Sequence, residues 1–201
     1  TRAPANQLEL KLDKMIWVGS PTNPLRRAFA RCAPRVFGDR LVHRMVGQDA
    51  MHELAWRCKP TQRGVPCAVK PAGWTPLQEQ CRYRYIIHLP GISDWLEHFK
   101  HQLACGSVNI FLGPKPPRHG ATEAAEAREG VDAELEAPAS FEHYDFSGPL
   151  LREGRHFLHV PVKKSADVCE QLQKVVARLD KQPERARCVA SEGQRLSHEL
   201  P

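Results

Sequence analysis

Tyr83-Arg84-Tyr85-Ile86-Ile87-His88-Leu89, running into Pro90-Gly91, is the stretch that decides the fold. It is aromatic and β-branched, and it stops at a Pro-Gly pair, which is how a buried strand and its terminating turn read. Ser93-Asp94 offers oxygens that cap a helix. Trp95, Leu96, Phe99 and Leu103 then recur at i, i+1, i+4 and i+8, one apolar face. Cys105-Gly106 supplies a glycine stop. Ser107-Val108-Asn109-Ile110-Phe111-Leu112 is the next strand. Strand, turn, helix and strand over 83–112 make a βαβ unit, which predicts a parallel pair with a right-handed crossover.

Upstream the same grammar recurs. Met15-Ile16-Trp17-Val18 is an apolar run ending at Gly19-Ser20-Pro21-Thr22-Asn23-Pro24, a strand followed by a loop. Pro24 suits a first helical position, with Leu25, Ala28, Phe29 and Cys32 at helical spacing. One further strand is expected within Val36–Val46. Cys58 to Pro76, rich in Pro and Gly, reads as a loop in which Cys58 and Cys67 are able to close a disulfide. Downstream, Gly113 to about Ser140 changes character. Glu123, Glu126, Glu129, Asp132, Glu134 and Glu136 stand among alanines with Arg128 alone against them, a surface insertion. Phe157-Leu158-His159-Val160-Pro161-Val162 is a late strand. Ser165 is placed to cap a helix whose stripe is Val168, Leu172, Val175, Val176 and Leu179, and Pro183 opens a last helix. The fold class is therefore α/β, a Rossmann-like, mostly parallel sheet.

Composition narrows the function classes. The 201 residues are 41% hydrophobic and 26% charged, enough apolar surface for one domain with a real core. No apolar run approaches the length of a membrane span. Lys and Arg number 29 against 23 Asp and Glu, a net +6 without any long basic block, so nucleic acid is not expected as a partner. Seven cysteines without a CxxC pair exclude zinc-ribbon and thioredoxin readings and leave disulfides or buried thiols. Thr1-Arg2-Ala3-Pro4 is neither an initiator methionine nor a signal peptide, so we expect a longer parent chain that holds any targeting signal or membrane anchor.

In open α/β sheets, ligands sit at the carboxyl ends of the strands. Two turns qualify, Gly19-Ser20 to Arg26 and Gly91 to Lys100. Helix N-termini there present free N–H groups and partial positive charge, and Arg26, Arg27, His98 and Lys100 add cations, which suits a phosphorylated or nucleotide ligand. Gly-Ser turns also open helices that bind nothing. His98 with His101, and His156 with His159, lack a third ligand at metal spacing, so no metal site is expected. GxSxG, GxxxxGK[ST] and GxGxxG are all absent.

Three segments, in this order, resemble the C-terminal half of the capsule-associated, protein O-glucosyltransferase-like enzymes, glycosyltransferase family 90. Trp17-Val18-Gly19-Ser20-Pro21-Thr22, with Arg26 six positions after the serine, is similar to the family's Gly-Ser-Arg-Thr. Cys81-Arg82-Tyr83-Arg84-Tyr85 through Lys100-His101 and Cys105-Gly106-Ser107 is similar to its Cys-Lys-Tyr-Lys-Tyr, Lys-His and Cys-Gly-Ser. His156-Phe157-Leu158-His159-Val160-Pro161-Val162-Lys163 is similar to its His-Tyr-Ile-Pro-Val-Lys, and Ser197-His198-Glu199-Leu200 to its closing Arg-Asn-His-Leu. The resemblance implies the donor-binding half of a GT-B glycosyltransferase that moves glucose or xylose from a UDP-sugar to a protein or glycan hydroxyl. No metal or other cofactor is expected, and the setting is the lumen of the endoplasmic reticulum or Golgi. It assigns donor contacts to Gly19, Ser20, Thr22 and Arg26 and to Gly91, Ile92, Ser93, Asp94, Trp95, His98 and Lys100, and it pairs Cys81 with Cys105. Pro21 stands where the family has Arg, and His98 falls where it has a second Arg. The family's catalytic Asp belongs to an N-terminal half that these 201 residues do not include. An inactive scaffold of the same fold and a basic α/β module for anionic polymers are the alternatives.

Overall fold

The computed structural model describes residues 8–45, 75–90, 96–114 and 150–200, with backbone alone for residues 45 and 96–98. Strand β1, Leu12–Gly19, leads to helix α1, Pro24–Phe37, and a 3-10 turn, Gly38–Arg40, feeds β2, Leu41–Met45. A short helix α2, Leu77–Gln80, precedes β3, Tyr83–His88, followed by α3, Leu96–Ala104, and β4, Val108–Gly113. Strand β5, Leu158–Pro161, is followed by α4, Val168–Lys181, and α5, Pro183–Ser197.

These strands form one sheet in the order β2-β1-β3-β4-β5, and every pairing is parallel. The sequence predicted a mostly parallel sheet; among the described residues it is wholly so. Both faces of the sheet are covered, which explains why β3 reads as a continuous apolar run rather than an alternating one. Met15, Trp17, Tyr85, Ile87, Ile110 and Leu112 join Phe29 of α1 and Leu172 and Val176 of α4 in the main core. Phe99 and Leu103 of α3 meet Phe157, Leu196 and Leu200 in a second cluster, with Phe111 packed against it. Gly106 takes φ +62°, a left-handed conformation, so the glycine stop after α3 is a backbone requirement.

The residue at the N-cap position of α4 is Asp167 rather than Ser165: Ser165 opens a 3-10 turn, Ser165–Asp167, and α4 begins at Val168. The chain is already helical at Ser165, one turn ahead of α4. Cys81 and Cys105 are joined, the pairing that the resemblance implies, and Cys32 is joined to Cys169, linking α1 to α4. Cys188 is an exposed free thiol. The Cys58–Cys67 pair, the Ser93-Asp94 cap and the acidic insertion lie outside the described residues. No helix among those residues is long and apolar enough to cross a membrane.

Candidate functional site

The order β2-β1-β3 has a direct consequence for where a ligand fits. The chain leaves β1 toward β2 on one side and later returns to β3 on the other, so the connections diverge above the carboxyl ends of β1 and β3. Such a switch point leaves a crevice at the edge of the sheet. The residues there come from the Gly19–Arg26 turn and from Leu89-Pro90.

Asn23 organises the turn. Its Oδ1 accepts the Arg26 backbone N–H at 2.9 Å, capping α1, while its Nδ2 donates to the Pro90 carbonyl at 2.8 Å. Pro24 occupies the first helical position, as predicted. Arg26 then reaches back over the strand ends. Its Nη2 donates to the Leu89 carbonyl at 2.9 Å and its Nη1 to the Ser20 carbonyl at 3.3 Å. The Thr22 N–H donates to the Ser20 carbonyl at 2.9 Å, and Arg27 Nη1 donates to the Thr22 carbonyl at 3.2 Å. The two loops that the sequence nominated are thus bonded to one another at their roots, Ser20 to Asn23 on one side and Leu89-Pro90 on the other.

Charge is the unusual part of this geometry. The Arg26 guanidinium is largely buried, and burial lowers its pKa. Its partners are neutral carbonyls, and no carboxylate of the described residues pairs with it. A buried cation without a counter-ion is costly. The N-terminal end of α1 adds partial positive charge at the same edge. The arrangement favours an anion.

Packing against the core alone requires glycine at Gly19. A Cβ there would lie 2.9 Å from the Trp17 Cζ2, so the buried indole already fills that side. Lys100 sits half-buried on α3. Gly91, Ile92, Ser93, Asp94 and Trp95, and the His98 side chain, lie outside the described residues. Sequence reasoning passed over Asn23 and the Leu89 and Pro90 carbonyls. Asn23 was legible, since an Asn directly before a Pro at a helix start is an N-cap signature. Among the described residues no group of three or more His, Cys, Asp or Glu is arranged to hold a metal. His156 Nδ1 instead accepts the Arg152 N–H at 3.1 Å.

No protein-family model matches the chain, and no curated protein does. Solved structures match it in fold. The C-terminal domain of a glycosyl transferase group 1 family protein, LpcC, from Francisella tularensis superposes with a TM-score of 0.54 at 10% identity, over 99% of this chain and 93% of that domain. HepE of Anabaena, solved in complex with UDP-glucose, gives 0.52 at 14% identity over 96% of this chain and 46% of its own. HepE in complex with UDP and glucose gives 0.52 at 12%, over 93% and 44%. The chain therefore spans less than half the length of HepE. At these identities the shared property is the fold, the C-terminal domain of GT-B glycosyltransferases.

Proposed function

We propose that this domain binds a UDP-sugar and is the donor-binding portion of a glycosyltransferase, with glucose or xylose passed to a protein or glycan hydroxyl. The observation that carries the proposal is Arg26, a half-buried cation at the switch point that no carboxylate of the described residues pairs with. A diphosphate supplies the missing negative charge. Ser20, Thr22 and Gly19 stand on the same turn, and Gly91 to Trp95, His98 and Lys100 follow the Pro90 to which that turn is bonded. The likeness in fold to HepE, whose structures hold UDP-glucose or UDP and glucose, supports the same ligand class.

In such a transfer the acceptor hydroxyl loses its proton to a base and attacks the anomeric carbon as UDP leaves. The charge that develops falls on the departing diphosphate. Arg26 and the N-terminal end of α1 lie at this edge of the sheet, and their positive charge would stabilise it. The base is expected from a preceding domain. The Cys32–Cys169 and Cys81–Cys105 links accord with an oxidising, secretory-type compartment.

Titration calorimetry with UDP, UDP-glucose and UMP tests the reading. UDP and UDP-glucose should saturate one site, and UMP should bind more weakly. Arg26→Ala should weaken UDP binding by about 1.5–3 kcal/mol, the range for a hydrogen bond to a charged group. Because Arg26 also ties two loops, Arg26→Lys and a melting curve accompany it. A folded chain without saturable UDP binding would leave a scaffold of the same fold.

A further inference from the structure

Helix α1 carries Arg26, Arg27, Arg31 and Arg35 and no Asp or Glu. Arg26 belongs to the crevice described above. The other three recur at i, i+4 and i+8 and so form a single row along the helix. The buried face of α1 is Leu25, Phe29, Ala30 and Ala33, and the row runs along the opposite side, with Arg31 and Arg35 exposed. Neighbouring like charges at this spacing repel; Arg27 meets the Thr22 carbonyl and Arg35 lies in the last turn, where a cation suits the helix dipole, while Arg31 has neither role. Several arginines on other elements are placed differently. Arg40 holds Asp13 and Asp180, Arg84 holds Asp13, Arg155 holds Glu192, and Arg195 holds Glu192 and Glu199. Among the described residues no carboxylate pairs with Arg31 or Arg35. A second basic segment lies near the same helix. The Ser165–Asp167 turn packs against α1, and Lys163 and Lys164, both exposed, immediately precede it. The carboxylates nearest in sequence to these segments are Asp39, beyond the helix end, and the half-buried Asp167.

We propose that this face of α1, with Lys163 and Lys164 beside it, is a docking surface for a linear anionic polysaccharide. A rise of 1.5 Å per residue sets Arg27 and Arg35 about 12 Å apart along a straight line. A compact anion cannot bridge that span, whereas a chain bearing repeated sulfates or carboxylates meets each guanidinium fork in turn. The Cys32–Cys169 link, one half of which lies in α1, belongs to oxidising compartments, where the abundant linear polyanions are glycans rather than nucleic acids. The surface is separate from the UDP reading, and either one stands if the other fails.

The test is fluorescence anisotropy of a labelled, size-fractionated heparin oligosaccharide against the full 201-residue chain at fixed salt. The wild-type chain should bind, and R31Q/R35Q should bind about tenfold more weakly, as expected for the loss of two charge-assisted contacts. That variant should melt no lower than wild type and keep its UDP dissociation constant. K163E/K164E should weaken the oligosaccharide as well, and it takes over as the deciding variant if R31Q/R35Q does not fold. No binding by the wild-type chain overturns the proposal. So does equal binding by the folded variants, or equal or tighter binding of polyglutamate or of a DNA duplex of matched charge.

Discussion

His88 shows how one side chain sets an acid limit on the whole domain. Its ring stacks on Phe111 at 4.3 Å and meets the edge of Phe99 at 5.4 Å. Asn109 donates its Nδ2 to the Ser107 carbonyl, which leaves Oδ1 to accept from His88 Nε2 at 2.9 Å. The neutral ring therefore carries its proton on Nε2. Burial pushes the His88 pKa down from 6.5 to about 4. The unfolded chain takes up this proton near pH 6.5 and the folded chain only near 4. Stability from His88 is thus fully present above 6.5 and is lost as the pH falls toward 4. Urea unfolding across that window should show a declining free energy for wild type and a flatter profile for His88→Gln, whose amide still donates to Asn109. An equal slope in both proteins refutes the assignment. Asp180, held below the ordinary carboxylate range first by the Arg40 guanidinium, adds its own loss only at more acid pH. Arg26 makes the complementary point. Its place on the turn at the start of α1 was legible, but its bond to Leu89, 63 residues away, was not, because no local pattern encodes which carbonyl a long side chain will reach.

Helix α5 is held at close range, and a single glycine permits it. A Cβ on Gly193 would lie 2.7 Å from the His156 carbonyl oxygen and 3.0 Å from Leu103 Cδ2. Gly193→Ala should gain about 1 kcal/mol of helix propensity. It should lose roughly 1–3 kcal/mol to overpacking, because the nearest atom is backbone and cannot rotate away. We expect a net fall in the urea midpoint; a rise would mean that α5 shifts outward at little cost. Elements with a strong period were readable in advance for the same reason that they are stable. The stripe Val168, Leu172, Val176 and Leu179 is buried along the whole of α4, and the 83–112 segment yields β3, α3 and β4. Short elements were less readable. β2 is only Leu41–Met45 within the wider Val36–Val46 window, and the 3-10 turn at Ser165 looks, in sequence, like the first turn of the helix behind it.

At the scale of the molecule, two clamps oppose the opening of the sheet. At the amino ends of the strands, Arg40 bridges Asp13 of β1 and Asp180 at the end of α4, while the Tyr85 hydroxyl donates to Asp180 at 3.0 Å. On the helical layer, Cys32–Cys169 joins residues 137 apart, whereas Cys81–Cys105 joins residues 24 apart and encloses β3 and α3. In the chain-entropy description, a cross-link removes freedom from the unfolded chain in proportion to the logarithm of the loop it closes, which gives about 5 kcal/mol for the outer link and about 3.5 for the inner. The inner loop is nested within the outer one, but the shortening barely changes a logarithm. Cys32→Ala/Cys169→Ala should therefore lower the melting temperature more than Cys81→Ala/Cys105→Ala. The buried surroundings of Cys169 work in the same direction, since alanine there leaves a gap against the core. The alternative ranking, with the inner pair costing more, would mean that the unfolded chain already keeps α1 near α4. That outcome would show in the urea slope, because a more compact unfolded state exposes less surface. Melting temperatures equal to wild type in both variants, with unchanged slopes, would instead mean that neither link restrains the unfolded ensemble, leaving the parallel sheet and its two covered faces as the source of the stability.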